Sequence, residues 1–124
     1  MLKNILFVDD QTSDLRLFRM ALEDTGYSVI TCISPYACST LLESNTFDLI
    51  VLDRNMPGMS GLELLEEIKK SDPKTVVLLI SNIMPTPAEV SEAKKLGAFD
   101  YILKPMIMNR ILPIIELALA ASPR

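Results

Sequence analysis

DLIVLDRNMPGMSGLELL, the stretch Asp48–Leu65, changes its pattern twice. Leu49-Ile50-Val51-Leu52 is continuously apolar, as expected for a strand that is covered on both faces of its sheet. Asp53 ends that run, and a turn containing proline and glycine follows it. Leu62 and Leu65 then begin an apolar stripe with helical spacing. The stretch therefore predicts a strand, a loop and a helix in succession, the unit from which parallel sheets are built.

The same alternation of apolar run and amphipathic stretch occurs five times along the chain. The second apolar run alternates with polar residues, so we expect that strand at an edge of the sheet. Five strand–helix units with short links predict an α/β fold, an open parallel sheet with helices on both faces. The other predicted strands cover residues 5–8, 27–31, 76–80 and 101–103, and the last predicted helix covers residues 111–121.

Caps and helix breakers mark several helix ends. Ser34-Pro35 has the pattern of an N-cap followed by proline at the first helical position. Gly26 and Gly97 lie where a glycine commonly ends a helix. Pro113 is compatible with the last helix only within the first turn, because proline has no N–H to donate further along.

Composition indicates a single globular domain. The 124 residues are expected to form one domain over residues 1–124, with a structured core of about 3–121. The 12 basic and 16 acidic side chains give a formal net charge of −4, and no stretch concentrates lysine and arginine. We therefore expect neither direct nucleic-acid binding nor membrane binding.

Cys32 and Cys38 are the two cysteines of a chain that has no histidine. Without histidine, Ser-His catalysis, Cys-His catalysis and histidine-ligated zinc are excluded. Two cysteines alone make neither a disulfide framework nor a metal site, so both are predicted to be buried or half-buried thiols. The first residues show no signal-peptide or membrane-spanning pattern, which predicts a cytoplasmic protein.

Polar residues follow four of the predicted strands. Asp9-Asp10 follows the first strand, Asp53 the third, Ser81 the fourth and Lys104-Pro105 the fifth. Because ligands of such sheets bind beyond the carboxyl ends of the strands, these side chains are expected to converge at one edge.

The expected cluster has the composition of a phosphoryl-transfer site. Clustered carboxylates repel one another, and a hard cation such as Mg²⁺ removes that repulsion. Asp10 and Asp53 are expected to bind Mg²⁺ directly, and Asp9 directly or through water. The Lys104 ammonium suits phosphate oxygens. A carboxylate can also act as a nucleophile and form an aspartyl phosphate, so these residue types favour in-line phosphoryl transfer.

Over essentially its whole length the chain resembles the receiver domains of bacterial response regulators, chemotaxis-regulator-like modules of two-component phosphorelay signalling. The matching segments are Ile5–Asp10, Asp48–Leu65 and Lys95–Pro105, and the middle segment is highly specific to that family. The resemblance implies a flavodoxin-like (βα)5 fold, a three-layer α/β/α sandwich whose five parallel strands have the order 2-1-3-4-5.

The resemblance also implies roles for the acids and their neighbour. Asp53 matches the phosphoacceptor. Asp10 and Asp53 match the carboxylate ligands of Mg²⁺, with Asp9 as their partner. Asn55 matches the residue that lends its backbone carbonyl to the metal.

Three further positions match the family's switch and lysine motif. Ser81, a serine where threonine is commoner, matches the hydroxyl that reaches the phosphoryl group. Tyr101 matches the aromatic side chain that turns inward after it. Lys104 matches the lysine of the motif, and its bond to Pro105 is expected to be cis. Gly58 and Gly61 fit the turn before the third helix.

The implied mechanism is a self-catalysed modification, not enzymatic turnover. A sensor histidine kinase or histidine phosphotransfer protein would donate the phosphoryl group, and autodephosphorylation would remove it slowly. The added charge would alter the surface of the fourth helix, fifth strand and fifth helix for an output partner or a fused effector domain. The expected assembly is a monomer or a phosphorylation-dependent dimer.

Several residues depart from the family pattern near the expected site. Asn82 replaces a small residue and is expected to slow access to the acceptor. Arg54 has two interpretations, a side chain that covers the site or a solvated charge, and we favour the solvated charge. Ile83 lacks a polar group that could orient water, which predicts a long-lived phosphoryl group. The loop with Pro85 and Pro87 is predicted to move as a stiff flap or to signal weakly.

Met106, Ile107 and Met108 have two interpretations, core packing or a dimer or partner surface.

Three alternatives share parts of this pattern. A phosphate-independent pseudo-receiver usually lacks an acid or the lysine, and here none is missing. An aspartate-nucleophile phosphatase has a second aspartate two residues after the first, whereas Gln11 follows Asp9 at that spacing. A flavin-binding electron carrier needs a glycine- and hydroxyl-rich phosphate loop, whereas the loop here is acidic. We reject the last two.

Overall fold

The computed structural model describes residues 3–104 and 108–123, and it describes only the backbone of residues 12–14 and 108–109. Strands and helices alternate strictly, as the sequence predicts. The fifth strand begins three residues earlier than predicted, at Ala98. The elements are β1 Asn4–Val8, α1 Thr12–Asp24, β2 Ser28–Cys32, α2 Pro35–Ser44, β3 Leu49–Asp53, α3 Gly61–Ser71, β4 Val76–Ser81, α4 Pro87–Lys95, β5 Ala98–Leu103 and α5 Met108–Ala121.

The five strands form one sheet in the order β2-β1-β3-β4-β5. Every neighbouring pair is parallel. The alternating second strand lies at an edge, as predicted, and β1, β3 and β4 lie inside. Asp53 pairs in register with Ile80, so the ends of β3 and β4 lie side by side. The predicted strand order is confirmed.

Two apolar cores cover the two faces of this sheet. Successive residues of β1 point to opposite faces, so Phe7 contributes to one core and Leu6 to the other. Leu22 of α1 and Ile115 of α5 complete the first core, and Leu64 of α3 completes the second. Each fully buried side chain of this size contributes roughly 1.5–3 kcal/mol to stability. The continuous apolar runs are therefore explained by burial on both faces, and the three-layer sandwich is confirmed.

The predicted caps are present. The Ser34 hydroxyl accepts a hydrogen bond from the Ala37 amide at 3.1 Å, with Pro35 at the start of α2. Gly26 and Gly97 have φ angles of +94° and +110°, a region that side chains with a Cβ rarely adopt. These residues end α1 and α4 and turn the chain back toward the sheet.

The position of Pro113 differs from the prediction. Helix α5 begins at Met108, so Pro113 lies inside the helix and beyond the first turn. Its missing N–H removes one hydrogen bond to the carbonyl four residues earlier. The helix persists because Ile111, Ile115 and Ala118 are buried against the sheet. The sequence pattern alone did not reveal that packing outweighs this loss.

Cys32 and Cys38 are buried free thiols, as predicted. Within residues 3–104 and 108–123, no helix is long and apolar enough to cross a membrane. The predicted cis bond at Pro105 and the positions Met106 and Ile107 fall outside the described residues.

Candidate functional site

Three carboxylates meet at the carboxyl edge of the sheet. Asp9 and Asp10 follow β1, and Asp53 is the last residue of the neighbouring β3. One oxygen from each acid lies within 4.8 Å of the other two. Asp9 and Asp53 are buried, while Asp10 is exposed. The parallel topology therefore produces the convergence that the order of residues along the chain predicts.

Asp9 is fixed by two hydrogen bonds. Its Oδ1 accepts from the backbone amide of Gln11 at 3.0 Å, and its Oδ2 accepts from the Lys104 Nζ at 2.6 Å. The side chain is completely buried. A buried carboxylate needs such partners because it has lost its hydration.

Lys104 lies between two of the acids. Its Nζ is 3.5 Å from the Asp53 Oδ2 and also 3.5 Å from the Gln11 Oε1, and its side chain is 9% exposed. Burial opposes the charged form, but the hydrogen bond to Asp9 and the charge of Asp53 outweigh it and raise the pKa of Lys104. The ammonium therefore stays charged within the acidic cluster.

Asp53 has a strongly perturbed carboxyl group. Burial raises its pKa from 3.8 to about 6, and the nearby Asp9 carboxylate adds to the rise. Two groups lower the pKa of Asp53. They are the Asn55 backbone amide, which donates to the Asp53 Oδ1 at 3.0 Å, and the Lys104 charge. Asp53 is thus ionised at neutral pH but less firmly than an ordinary aspartate.

Ser81 ends β4 beside this cluster and is completely buried. Its hydroxyl oxygen accepts from the Asn55 side-chain amide at 2.8 Å and from the Ile83 backbone amide at 3.1 Å. These bonds fix the hydroxyl relative to the two loops that border the acids. The roles predicted for Ser81 and for the Asn55 carbonyl stay predictions.

Arg54 differs from its prediction as a solvated charge. Its side chain is only 25% exposed, and its Nη1 forms an ion pair with Glu89 of α4. The same Nη1 donates to the Tyr101 hydroxyl at 3.0 Å, and the guanidinium carbon is 6.0 Å from the centre of the Tyr101 ring. Tyr101 is half-buried against the second core.

The partnership of Arg54, Glu89 and Tyr101 was not predicted from the sequence. Only one part of it has a sequence signal, because Thr86 and Glu89 have the spacing of a capping box. The structure contains this box, with the Thr86 hydroxyl accepting from the Glu89 amide at 3.1 Å and the Glu89 carboxylate accepting from the Thr86 amide at 3.0 Å. Together with Arg54, these bonds lower the pKa of Glu89 to about 2.

The loop after Asp53 depends on two glycines, as predicted. Gly58 has a φ of +96°. At Gly61, an added Cβ would lie 2.5 Å from the Arg54 Cα, too close for any other residue. Two hydrogen bonds also hold the Arg54 backbone. The Arg54 amide donates to the Ile80 carbonyl at 2.9 Å, and the Arg54 carbonyl accepts from the Gly61 amide at 2.8 Å.

The loop between β4 and α4 exposes apolar side chains next to the site. Ile83 and Met84 are 65% and 70% exposed. Thr86 caps α4 and Pro87 occupies its first turn, so the second proline of the loop belongs to the helix start. The predicted movement of this loop stays a prediction.

Comparison with known proteins complements this geometry. The response regulator receiver domain model matches residues 5–116. The transcriptional regulatory protein ZraR of Salmonella typhimurium is 33% identical over 117 residues, 94% of this chain and 26% of that protein. A CheY-like receiver domain protein from Methanospirillum hungatei has a TM-score of 0.92 at 30% identity, covering 98% of this chain and 97% of the other.

A structure of the response regulator TrrA from Thermotoga maritima, in complex with Mg²⁺-BeF, has a TM-score of 0.84 at 26% identity, covering 94% of this chain and 99% of the other. The chain spans about a quarter of the length of curated relatives such as ZraR and AlgB. The family model nevertheless covers nearly all of the sheet and its helices. The chain belongs to the response regulator receiver domain family.

Proposed function

We propose that this chain, as a single receiver domain over residues 1–124, accepts a phosphoryl group on Asp53. The observation that carries the proposal is the meeting of Asp9, Asp10 and Asp53 within 4.8 Å, beside the ammonium of Lys104. An acid at the carboxyl edge of a parallel sheet with a raised pKa is also typical of functional sites.

The three acids have the donor set that suits Mg²⁺. Two carboxylates about 4 Å apart repel by about 4 kcal/mol at an effective dielectric constant near 20. Lys104 offsets part of this repulsion but is closer to Asp9 than to Asp53. Asp10 is exposed, which leaves one side of the cluster open to a hydrated ion. We propose Asp10 and Asp53 as the metal ligands, with Asp9 and the Asn55 carbonyl completing the site.

When bound, Mg²⁺ would neutralise carboxylate charge and stabilise the phosphoryl oxygens in the transition state. The remaining chemistry belongs to the chain. An Asp53 oxygen attacks phosphorus while the bond between phosphorus and the donor's histidine nitrogen breaks, and that nitrogen retains the bonding electrons. Lys104, whose Nζ is 3.5 Å from the Asp53 Oδ2, would supply a positive charge to the transferred oxygens. Asp53 reacts as the carboxylate, which its pKa of about 6 permits at pH 7.

The product changes the charge of a buried position. An aspartyl phosphate carries roughly −1.5 to −2 charges at neutral pH, by analogy with other phosphorylated side chains, and it replaces the single negative charge of the ionised carboxylate. Ser81 would leave its bonds to Asn55 and Ile83 to donate to the new oxygens, and Tyr101 would move after it. We propose that this alters the α4-β5-α5 surface for an output partner.

A histidine kinase or histidine phosphotransfer protein is the proposed donor, and a cytoplasmic location is part of the same proposal. The receiver promotes acceptance and slow loss of the group but turns over no other substrate. The output is a partner or a fused effector domain, which is in keeping with the greater length of relatives such as ZraR.

The test is intact mass spectrometry after incubation with a small phosphodonor, with Mg²⁺ or with EDTA. We expect a gain of one phosphoryl group in the wild type with Mg²⁺, a strong reduction with EDTA and no gain in Asp53→Asn. Asp24→Asn, which changes an exposed aspartate of α1, is the matched control and should gain the group normally. No gain in the folded wild type would favour a phosphate-independent pseudo-receiver.

A further inference from the structure

Arg54 connects the phosphoacceptor loop to two elements of the output surface. One of its nitrogens, Nη1, contacts both the Glu89 carboxylate on α4 and the Tyr101 hydroxyl on β5. The Tyr101 ring also lies within cation–π distance of the guanidinium. A single side chain therefore joins the residue after Asp53 to the start of α4 and the middle of β5.

The backbone of Arg54 is held in place by contacts that do not involve its side chain. Its amide and carbonyl are bonded to Ile80 and Gly61, and the absence of a side chain at Gly61 allows the two backbones to touch. We therefore assign any rearrangement at Arg54 to its side chain, which would exchange Glu89 and Tyr101 for other partners.

The Glu89 carboxylate has two functions at once. One oxygen completes the capping box with the Thr86 amide, and the other pairs with Arg54. Because the capping box fixes the first turn of α4, the ion pair transmits the position of Arg54 to that helix. The Tyr101 hydroxyl accepts a hydrogen bond from the same Arg54 nitrogen that pairs with Glu89.

We propose that the Arg54–Glu89 ion pair is a latch that holds Tyr101 and the start of α4 in their unphosphorylated positions. Arg54 and Glu89 are thus positioning residues for the switch, and they do not touch the reacting atoms. The part of the proposal that concerns switching rests on the proposed phosphorylation of Asp53. The part that concerns the resting position of Tyr101 does not.

The latch can be observed directly at Tyr101. The chain has three tyrosines and no tryptophan, so protein labelled with 3-fluorotyrosine gives three ¹⁹F resonances, and Tyr101→Phe identifies the one of interest. Arg54→Gln removes the charge of the latch. Glu89→Gln removes the opposite charge but keeps an oxygen that can complete the capping box. Arg19→Gln, which breaks an exposed ion pair on α1, is the control.

We expect the Tyr101 resonance of unphosphorylated Arg54→Gln and Glu89→Gln to shift in the direction that phosphorylation shifts the wild type. Arg19→Gln should leave it unchanged. A Glu89→Gln resonance that coincides with the wild type, or shifts in the opposite direction, would overturn the proposal, since that variant leaves Arg54 beside the ring.

The two proposals can fail separately. If the wild type gains no phosphoryl mass, the proposed function fails. The latch is then judged from the unphosphorylated proteins alone. Equal shifts of the Tyr101 resonance in Arg54→Gln and Glu89→Gln support the latch, and resonances at the wild-type position refute it. All three proteins gain the mass in the other case. If the Tyr101 resonances of the wild type and of both variants then coincide before phosphorylation, the latch alone is wrong.

Discussion

Asp53 must ionise in a place where burial favours its protonated form. The folded protein holds the Asp53 proton more tightly than the unfolded chain does, because its pKa is about 6 in the fold and 3.8 is the ordinary value. Ionisation of Asp53 therefore lowers the free energy of unfolding. The cost is absent below about pH 4, grows between pH 4 and 6 and is complete above that range.

This cost predicts a pH dependence for the metal-free protein. Asp53→Asn should match the wild type in stability near pH 4 and exceed it at pH 7 by up to about 3 kcal/mol, at about 1.4 kcal/mol per pH unit of pKa shift. Urea unfolding of both proteins in EDTA between pH 4 and 8 measures the difference. A difference that stays constant across this range would contradict the perturbed pKa of Asp53.

Ile83 offers no polar side-chain atom to orient a hydrolytic water, although it is well exposed next to Ser81. We predict that Ile83→Glu accelerates loss of the phosphoryl group by about 10-fold, because a carboxylate can position that water or accept its proton. The decay of the phosphorylated mass with time gives the rate. Met84→Glu, at the next exposed position, is the control, and equal rates in the two variants would exclude this role.

At the scale of elements, the latch is weak enough to be switched. Arg54 and Glu89 are 25% and 33% exposed, and ion pairs with that access to water contribute little to stability. Allosteric couplings are typically about 1–3 kcal/mol. A newly added phosphoryl charge can therefore compete with the ion pair, whereas it could not dislodge an apolar core contact.

Helix α5 provides a separate test at this scale. Pro113 is exposed and lies inside the helix, where proline removes a hydrogen bond and strains the preceding turn. We predict that Pro113→Ala raises the free energy of unfolding by about 2 kcal/mol.

Pro87→Ala is the matched control for that variant. Pro87 occupies the start of α4, where the missing N–H has no partner to lose. Replacing it should lower the free energy of unfolding by up to about 1 kcal/mol, because the unfolded chain gains freedom. Urea unfolding of both variants checks the opposite signs, and a loss of stability in Pro113→Ala would show that the ring is accommodated without strain.

Local patterns predicted most of the elements and few of their mutual contacts. Ser34, Gly26 and Gly97 could be interpreted from the sequence because caps depend on neighbouring residues alone. The pairing of Arg54 with Glu89 joins residues 35 positions apart and depends on how α4 packs beside β5. No periodicity encodes that packing, so a charged residue beside the acceptor was predicted to be solvated.

At the scale of the whole molecule, the sheet topology creates the site. The strands β1 and β3 are adjacent and parallel, so acids at their ends must meet although 43 residues separate Asp10 from Asp53. The convergence was predictable because it follows from the order of strands and the ends at which polar residues lie. The individual hydrogen bonds of Ser81 and Lys104 were not predictable, since they depend on side-chain conformation.

The acidic cluster should make stability depend on the metal. We predict that Mg²⁺ raises the melting temperature of the wild type, because a ligand that binds only the fold at 100 times its Kd contributes about 2.7 kcal/mol. Asp10→Asn should lose most of this effect, and Asp24→Asn should retain it. Thermal unfolding with Mg²⁺ and with EDTA measures it, and an equal Mg²⁺ response in Asp10→Asn would remove Asp10 from the proposed ligands.

The location of the phosphoryl group tests the central claim most directly. After incubation with Mg²⁺ and a phosphodonor, the protein is digested under conditions that preserve acyl phosphates, and the modified peptide is fragmented in a mass spectrometer. We predict that the added mass lies on Asp53 alone. Its presence on Asp9, Asp10 or Ser81 in place of Asp53 would contradict the account.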